Sequence, residues 1–380
     1  MGAPAGAMVG LMMLAFTLLG WSSVPLFVTH FSHSINSWTQ NGWRYLLGAL
    51  VWAPVLVWGW MKGTTPRGLW KASVMPAIFN ALGQAAFTWS FYNVDTATAA
   101  FGLRTQIVFL AVGAYLLFPS ERALLRTKGA WIGILLVIVG VVGTMLLRDT
   151  AHDAANAVGS FNNPLLGMAA AVAAGLLFAS YGLSVRNNMH GYHPVTAFAA
   201  ISQITAGISL VLMLGLSRDA TGALDCGAAV FSLSGGGLAM LFLSAIIGIT
   251  LGHAAYFISI ARLGVATTSG VLQLQPFCVA IAQFVVFNQV MTGGQWLAGT
   301  VAVIGALVLL WAQWRLKRAA SAPVGADIAA GAEMPLVAGE ESEGIEAAEM
   351  DAVPVESKTI GNTIQSSASS RRASTESHNA

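Results

Sequence analysis

Ten stretches of this chain are each long and apolar enough to cross roughly 30 Å of hydrocarbon as a helix. They fall near residues 8–29, 38–60, 72–92, 97–118, 129–147, 164–185, 195–216, 236–260, 266–287 and 295–314. Within a bilayer every backbone N–H and C=O must find a partner inside the protein, so only helices or a closed barrel can span it. Stretches of about 20 apolar residues select helices. The second stretch opens on polar Trp38-Thr39-Gln40-Asn41, which blurs its start. The first has no basic run ahead of it and is too long for a leader core, so it reads as a spanning helix rather than a cleaved signal.

Charge is scarce and segregated. Only 9% of residues are charged and 56% are hydrophobic, where a soluble chain carries roughly a quarter charged. Residues 1–318 hold 15 Lys+Arg and 6 Asp+Glu, a net of +9; residues 319–380 hold 3 and 10, a net of −7. The basic part is explained by loops that anchor spans at the cytoplasmic face, not by nucleic-acid binding. With the N-terminus cytoplasmic, the inner loops and the segment after the last span carry eleven Lys and Arg, and the outer loops carry only Arg148 and Arg218. Both termini are therefore expected inside a plasma or inner cell membrane. The acidic tail, 319–380, has no apolar periodicity and is expected to be disordered. Its Arg371-Arg372-Ala373-Ser374 has the form of a basic-directed kinase site, a string that also arises often by chance.

Residues 81–106, ALGQAAFTWSFYNVDTATAAFGLRTQ, return 169 positions later as TLGHAAYFISIARLGVATTSGVLQLQ at 250–275. Nine of the 26 positions are identical. Ala and Leu recur between any two apolar helices, so the weight rests on Gly83/Gly252, Ser90/Ser259, Thr98/Thr267 and Gln106/Gln275. Two copies of one unit imply five helices each. Five is odd, so the second copy enters the membrane in the opposite sense. The expected architecture is an all-α polytopic membrane protein of ten transmembrane helices in two inverted five-helix repeats. Its parts are 1–147, an external linker 148–163, 164–318, and the tail.

Polar residues inside the spans mark candidate sites, because lipid cannot solvate them. Arg44 is near the outer end of its span and is expected to snorkel to headgroups; a cavity role is the alternative, and Gln203 is a further possible cavity residue. Arg104 lies roughly 10 Å in, at 1.5 Å per residue, where snorkelling is harder. It suits either a cavity, where it would favour an anionic substrate, or a bond to carbonyls of a neighbouring helix. In the repeat alignment Arg104 matches Gln273, and Arg44 matches Gln203. Asn80, Gln84 and Thr88 share one helical face that serves interhelical contact or lines a cavity. Gln84 aligns with His253, and Trp21 and Tyr256 are further cavity candidates. Gln273 and Gln275 precede Pro276, which frees carbonyls; they point to opposite sides, and Gln273 is the better candidate lining residue. Helix 5 carries Gly129 and Gly133, with Gly140 and Gly143 beyond, a pattern for close packing within the subunit or in a homodimer.

Several chemistries find no support. All six acids before residue 319 lie in loops or at helix ends, which argues against a carboxylate proton relay. The two cysteines, Cys226 and Cys278, give neither a disulfide framework nor a metal site. No H-E-x-x-H, G-x-S-x-G or cofactor motif occurs. An intramembrane enzyme is therefore disfavoured. A receptor or scaffold signalling through the acidic tail is the other alternative, and ten inverted helices argue against a seven-helix receptor. A small-molecule substrate and the lipid bilayer are the expected partners.

These residues together resemble the drug/metabolite transporter superfamily, and within it the ten-helix EamA-type permeases. The resemblance rests on Trp21-Ser22-Ser23, Arg44, Glu121-Arg122, Gly133 and Gly140, and in the second copy on Pro276, Asn288-Gln289, Gly299 and Gly305. It departs at Gln289, where the family usually has Glu, and at Arg104-Thr105-Gln106-Ile107, where it often has Pro; Glu121 and Gly133 also stand a few residues further apart. It implies secondary transport of a small metabolite by alternating access; substrates in the family include amino acids, sugars, bases and drugs.

Overall fold

The computed structural model describes residues 5–148, 163–219 and 221–320. The linker residues 149–162 and the tail beyond 320, with its expected disorder and kinase-like string, lie outside the described residues. The described residues form ten long helices. They are α1 Ala5–Phe31, α2 Ser37–Met61, α3 Leu69–Phe91, α4 Thr96–Leu117, α5 Lys128–Leu146, α6 Pro164–Asn188, α7 Pro194–Leu216, α8 Gly235–Leu263, α9 Thr267–Phe287 and α10 Gly293–Ala320. Nine of these are long and apolar enough to cross a membrane on composition alone. The tenth, α3, has 23 residues, a length of about 35 Å. It carries Asn80, Gln84 and Thr88, which lower its apolarity and face other helices instead of lipid.

Inversion of the repeats is visible in the packing. If each helix of the first copy exchanges with its counterpart in the second, α5 is the counterpart of α10, α4 of α9 and α2 of α7. Each pair is in contact, and each runs antiparallel, as a two-fold axis in the membrane plane requires. Along α5 and α10, Gly129 faces Ala312, Gly133 faces Leu309 and Gly143 faces Ala298. Along α2 and α7, Thr39 bonds Ser217 while Gln203 bonds the Ala49 carbonyl. Along α4 and α9, the Ala97 N–H donates to Gln283 and the Arg104 guanidinium to Gln275. The remaining major contacts obey the same exchange, since α1 packs on α8 as α6 packs on α3. Here the aligned glycines do the same work. A Cβ at Gly83 would lie 2.9 Å from the Phe178 ring, and one at Gly252 would lie 2.5 Å from Trp21 Nε1.

The helix 5 glycines are consumed inside the subunit. A Cβ at Gly140 would lie 2.4 Å from the backbone nitrogen of Ala302, and one at Gly305 2.6 Å from that of Val137. Small residues let the α5 and α10 backbones touch, and dispersion over that length replaces the hydrophobic drive that lipid cannot supply.

Three helices are irregular near mid-length. In α4 the ladder tightens to a 3₁₀ turn at Leu103–Thr105. In α9 the regular ladder stops at Leu272 and resumes at Gln275. These breaks coincide in the repeat alignment, and Arg104 and Gln273 sit in them. In α8 it widens to a π turn at Ile246–Leu251. Departures of this kind cluster at functional sites.

Candidate functional site

The break in α9 has a chemical cause. Pro276 has no N–H to return to the carbonyl of Leu272. The guanidinium of Arg104 takes that place, with Nη1 donating to Leu272 O at 3.3 Å and Nη2 to Gln275 Oε1 at 3.0 Å. Gln275 Nε2 in turn donates to the carbonyl of Trp21 at 3.0 Å. One side-chain chain therefore ties α4, α9 and α1 together. The sequence favoured Gln273 over Gln275 as the lining glutamine; Gln275 is the one that meets Arg104. Gln273 folds onto its own helix, donating to Ser269 O at 3.3 Å, and its buried Oε1 has no partner.

The π turn of α8 organises a second group. Its loosened ladder leaves the Gly248 carbonyl to the Trp21 indole N–H, at 3.2 Å. His253 Nδ1 lies 3.0 Å from the Ile249 carbonyl. The Trp21 ring meets His253 edge-on at 5.2 Å and Tyr256 at 5.1 Å. Phe198 stacks on His253 at 4.5 Å. Trp21, His253 and Tyr256 are thus brought together, and α7 supplies Phe198, which the sequence did not single out.

Arg44 also lies against this turn, its Nη2 3.4 Å from where a Cβ on Gly248 would stand. It does not snorkel: it is 2% exposed, and its Nε donates to Ser244 Oγ at 3.1 Å. The reason is the cover over the start of α2. Asn36 Nδ2 donates to the Arg218 carbonyl at 2.8 Å and Thr39 bonds Ser217 at 2.6 Å, so the loop between α7 and α8 closes that end. The Ser217 hydroxyl is held by the Asp225 carboxylate. Burial pushes the Asp225 carboxyl up, but the Ser217 hydroxyl and the N–H groups of Gly227 and Ala229 outweigh it and hold the group below the usual carboxylate range.

The other candidates separate. Asn80 Nδ2 donates to Thr205 Oγ1 at 3.2 Å, and Thr88 donates to Asn41 Oδ1 at 3.3 Å. Gln203 is satisfied by the Ala49 carbonyl at 2.8 Å. These join helices. Gln84, between Asn80 and Thr88 on the same face, is half-buried and makes no hydrogen bond to a described residue. Two cavities, of about 580 and 490 Å³, open at the end of the bundle away from the basic loops. None of the ten candidates lines either of them. No group of three or more His, Cys, Asp or Glu among the described residues is placed to hold a metal ion.

Sequence reasoning missed Ser244, Gln40, Tyr92 and Phe198. A signal for the second was available, because Gln40 and Arg44 are four apart and share one face of a membrane helix.

Comparisons with known proteins agree with this architecture. A solved structure titled only "Crystal structure of protein" is 16% identical, covering 83% of this chain and 99% of that chain, with a TM-score of 0.48; it is too distant to carry an argument. No curated protein matches. The family model of the EamA-like transporter family matches twice, over residues 8–146 and 165–311. Those ranges run from α1 through α5 and from α6 into α10, so the chain, a multi-pass membrane protein, belongs to the EamA-like transporter family.

Proposed function

We propose that this protein is a secondary transporter that moves a small metabolite by alternating access, with its site between the two repeats. One observation carries the reading. Arg104 and Gln275 are hydrogen-bonded across α4 and α9, and the repeat exchanges this pair for Gln273 and Gln106. The exchanged pair is not bonded, since Gln273 turns to Ser269. Two inverted copies of similar sequence thus hold unlike local conformations, as a molecule caught on one side of an exchange does. Swapping the two conformations breaks the first pair and brings the second together.

Proteoliposomes holding the full chain test this. Saturable counterflow of at least one compound from a panel of amino acids, bases, sugars and organic acids is expected. Cysteines replacing Gln106 and Gln273, joined by a short bifunctional reagent, should block it, and so should cysteines replacing Arg104 and Gln275. If both cross-links form in one molecule at once, alternation is refuted. Absence of counterflow across the panel refutes transport.

A further inference from the structure

We propose that the transported molecule carries a carboxylate and that Arg44 binds it. This rests on the transporter reading above and deepens it.

The described carboxylates are all engaged elsewhere. Asp95 pairs with Arg148 at 3.1 Å, and Glu121 with Arg186 at 2.9 Å. Asp219 and Asp225 accept from groups of the loop they belong to and from Ser217. Two guanidinium groups remain among the buried side chains, and they differ. Arg104 has a carbonyl and an amide oxygen on its two terminal nitrogens. Arg44 has a single serine hydroxyl on Nε. Neither of its terminal nitrogens meets an acceptor among the described residues, and Nη1 is fully buried. A cation taken out of water with one neutral acceptor is costly. The unbonded edge of the fork is an edge that can receive a carboxylate bidentately.

The surroundings suit such a ligand. Arg44 Nη2 would lie 3.4 Å from a Cβ at Gly248, so the guanidinium lies against the π turn. The rings of Trp21 and His253 pack on that same turn. A carboxylate on Arg44 would leave the rest of a small molecule beside those rings.

There is also a way in. The 580 Å³ cavity is lined by Tyr92, Trp89, Asn36, His33 and Arg218 among others, with no acid among its described lining residues. At Tyr92 the hydroxyl reaches Ile35 O at 2.9 Å and Gln40 Oε1 at 3.0 Å. Gln40 is fully buried and one helical turn from Arg44. The Tyr92–Gln40 contact is therefore the door between a vestibule with a cation at its wall and a buried cation beneath. A field of one sign along a low-dielectric channel draws in the opposite charge.

The test uses the purified full chain, a panel of sodium monocarboxylates, and the primary amides of the same acids at matched ionic strength. At least one carboxylate should raise the melting temperature of the wild type, with its amide ineffective. Arg44→Gln should weaken that response at least tenfold, and Arg44→Lys, which keeps the charge and loses the fork, by less. Because Arg44 is undercompensated, Arg44→Gln without ligand should melt at or above the wild-type temperature. A carboxylate that stabilises Arg44→Gln as well as the wild type overturns the assignment. So does a panel in which no carboxylate stabilises the wild type. Counterflow of the amides at the rate of the acids overturns the anion while leaving the transporter standing.

Discussion

Arg44 and Arg104 look alike in the sequence, each a cation in an apolar run, and the structure separates them by what their nitrogens touch. Arg104 completes a helix. Without it the Leu272 carbonyl, already denied an N–H by Pro276, stays unpaired, along with the Gln275 amide oxygen. Leaving such buried acceptors open costs about 1–3 kcal/mol each. Arg104→Met should therefore lower the melting temperature of the purified protein, opposite in sign to Arg44→Gln. Restoring an N–H with Pro276→Ala should recover part of the loss. A double-mutant cycle on melting temperature checks it, since simple additivity of the two changes would mean that Arg104 and the Leu272 carbonyl are not coupled. The freed carbonyl was legible from Pro276, and so was a guanidinium bonded to carbonyls as one use for Arg104. Their meeting was not, because it joins residues 168 apart. Arg44 was misjudged for a different reason. Depth counted along one helix takes its end to be the membrane surface, but the α7–α8 loop lies over the end of α2.

Among the helices, spacing of apolar residues located all ten, and the aligned hairpin predicted their inversion. What spacing could not give is where a helix departs from the regular ladder. The π turn of α8 has no proline within Ile246–Leu251, and its single glycine, Gly248, is one of five along α8. It forms where Val24 and Trp21 of α1 press on Gly248 and Gly252, a tertiary demand. The glycine-rich face of α5 was legible as a packing face, though not its partner. That partner is α10, and the fit leaves no room for side chains. Gly140→Val forces two backbones apart and should cost more than the ~1–3 kcal/mol usual for overpacking. Gly143→Ala meets only the Ala298 side chain, at 2.8 Å, and should cost less. Melting temperatures of the two variants in detergent measure the difference; equal losses would mean that α5 and α10 separate easily.

At the scale of the molecule, the loops sort the charges. Lys62, Arg67, Lys71, Arg122, Arg126, Lys128, Arg186, Arg262, Arg315, Lys317 and Arg318 belong to loops or helix ends at one end of the bundle, and Arg148 and Arg218 to the other. Translocating a basic loop against the membrane potential is disfavoured, so the crowded end should stay cytoplasmic. The vestibule that leads to Arg44 would then open outward. Cys226 offers a direct test, because it is exposed in the α7–α8 loop beside that opening. The second native cysteine, Cys278, is half-buried in α9 and is removed as Cys278→Ser. In intact cells a membrane-impermeant maleimide should label Cys226 in full. A cysteine placed at the exposed Arg126, in the α4–α5 loop, with Cys226→Ser, should label only after permeabilisation. Asp95 is a poor reporter even though it lies in the outer turn, since it is 3% exposed and paired with Arg148. The reverse pattern would turn the molecule over and make the vestibule cytoplasmic. Labelling of both positions from the same side would break the inversion itself, because an odd number of crossings separates the α4–α5 loop from the α7–α8 loop.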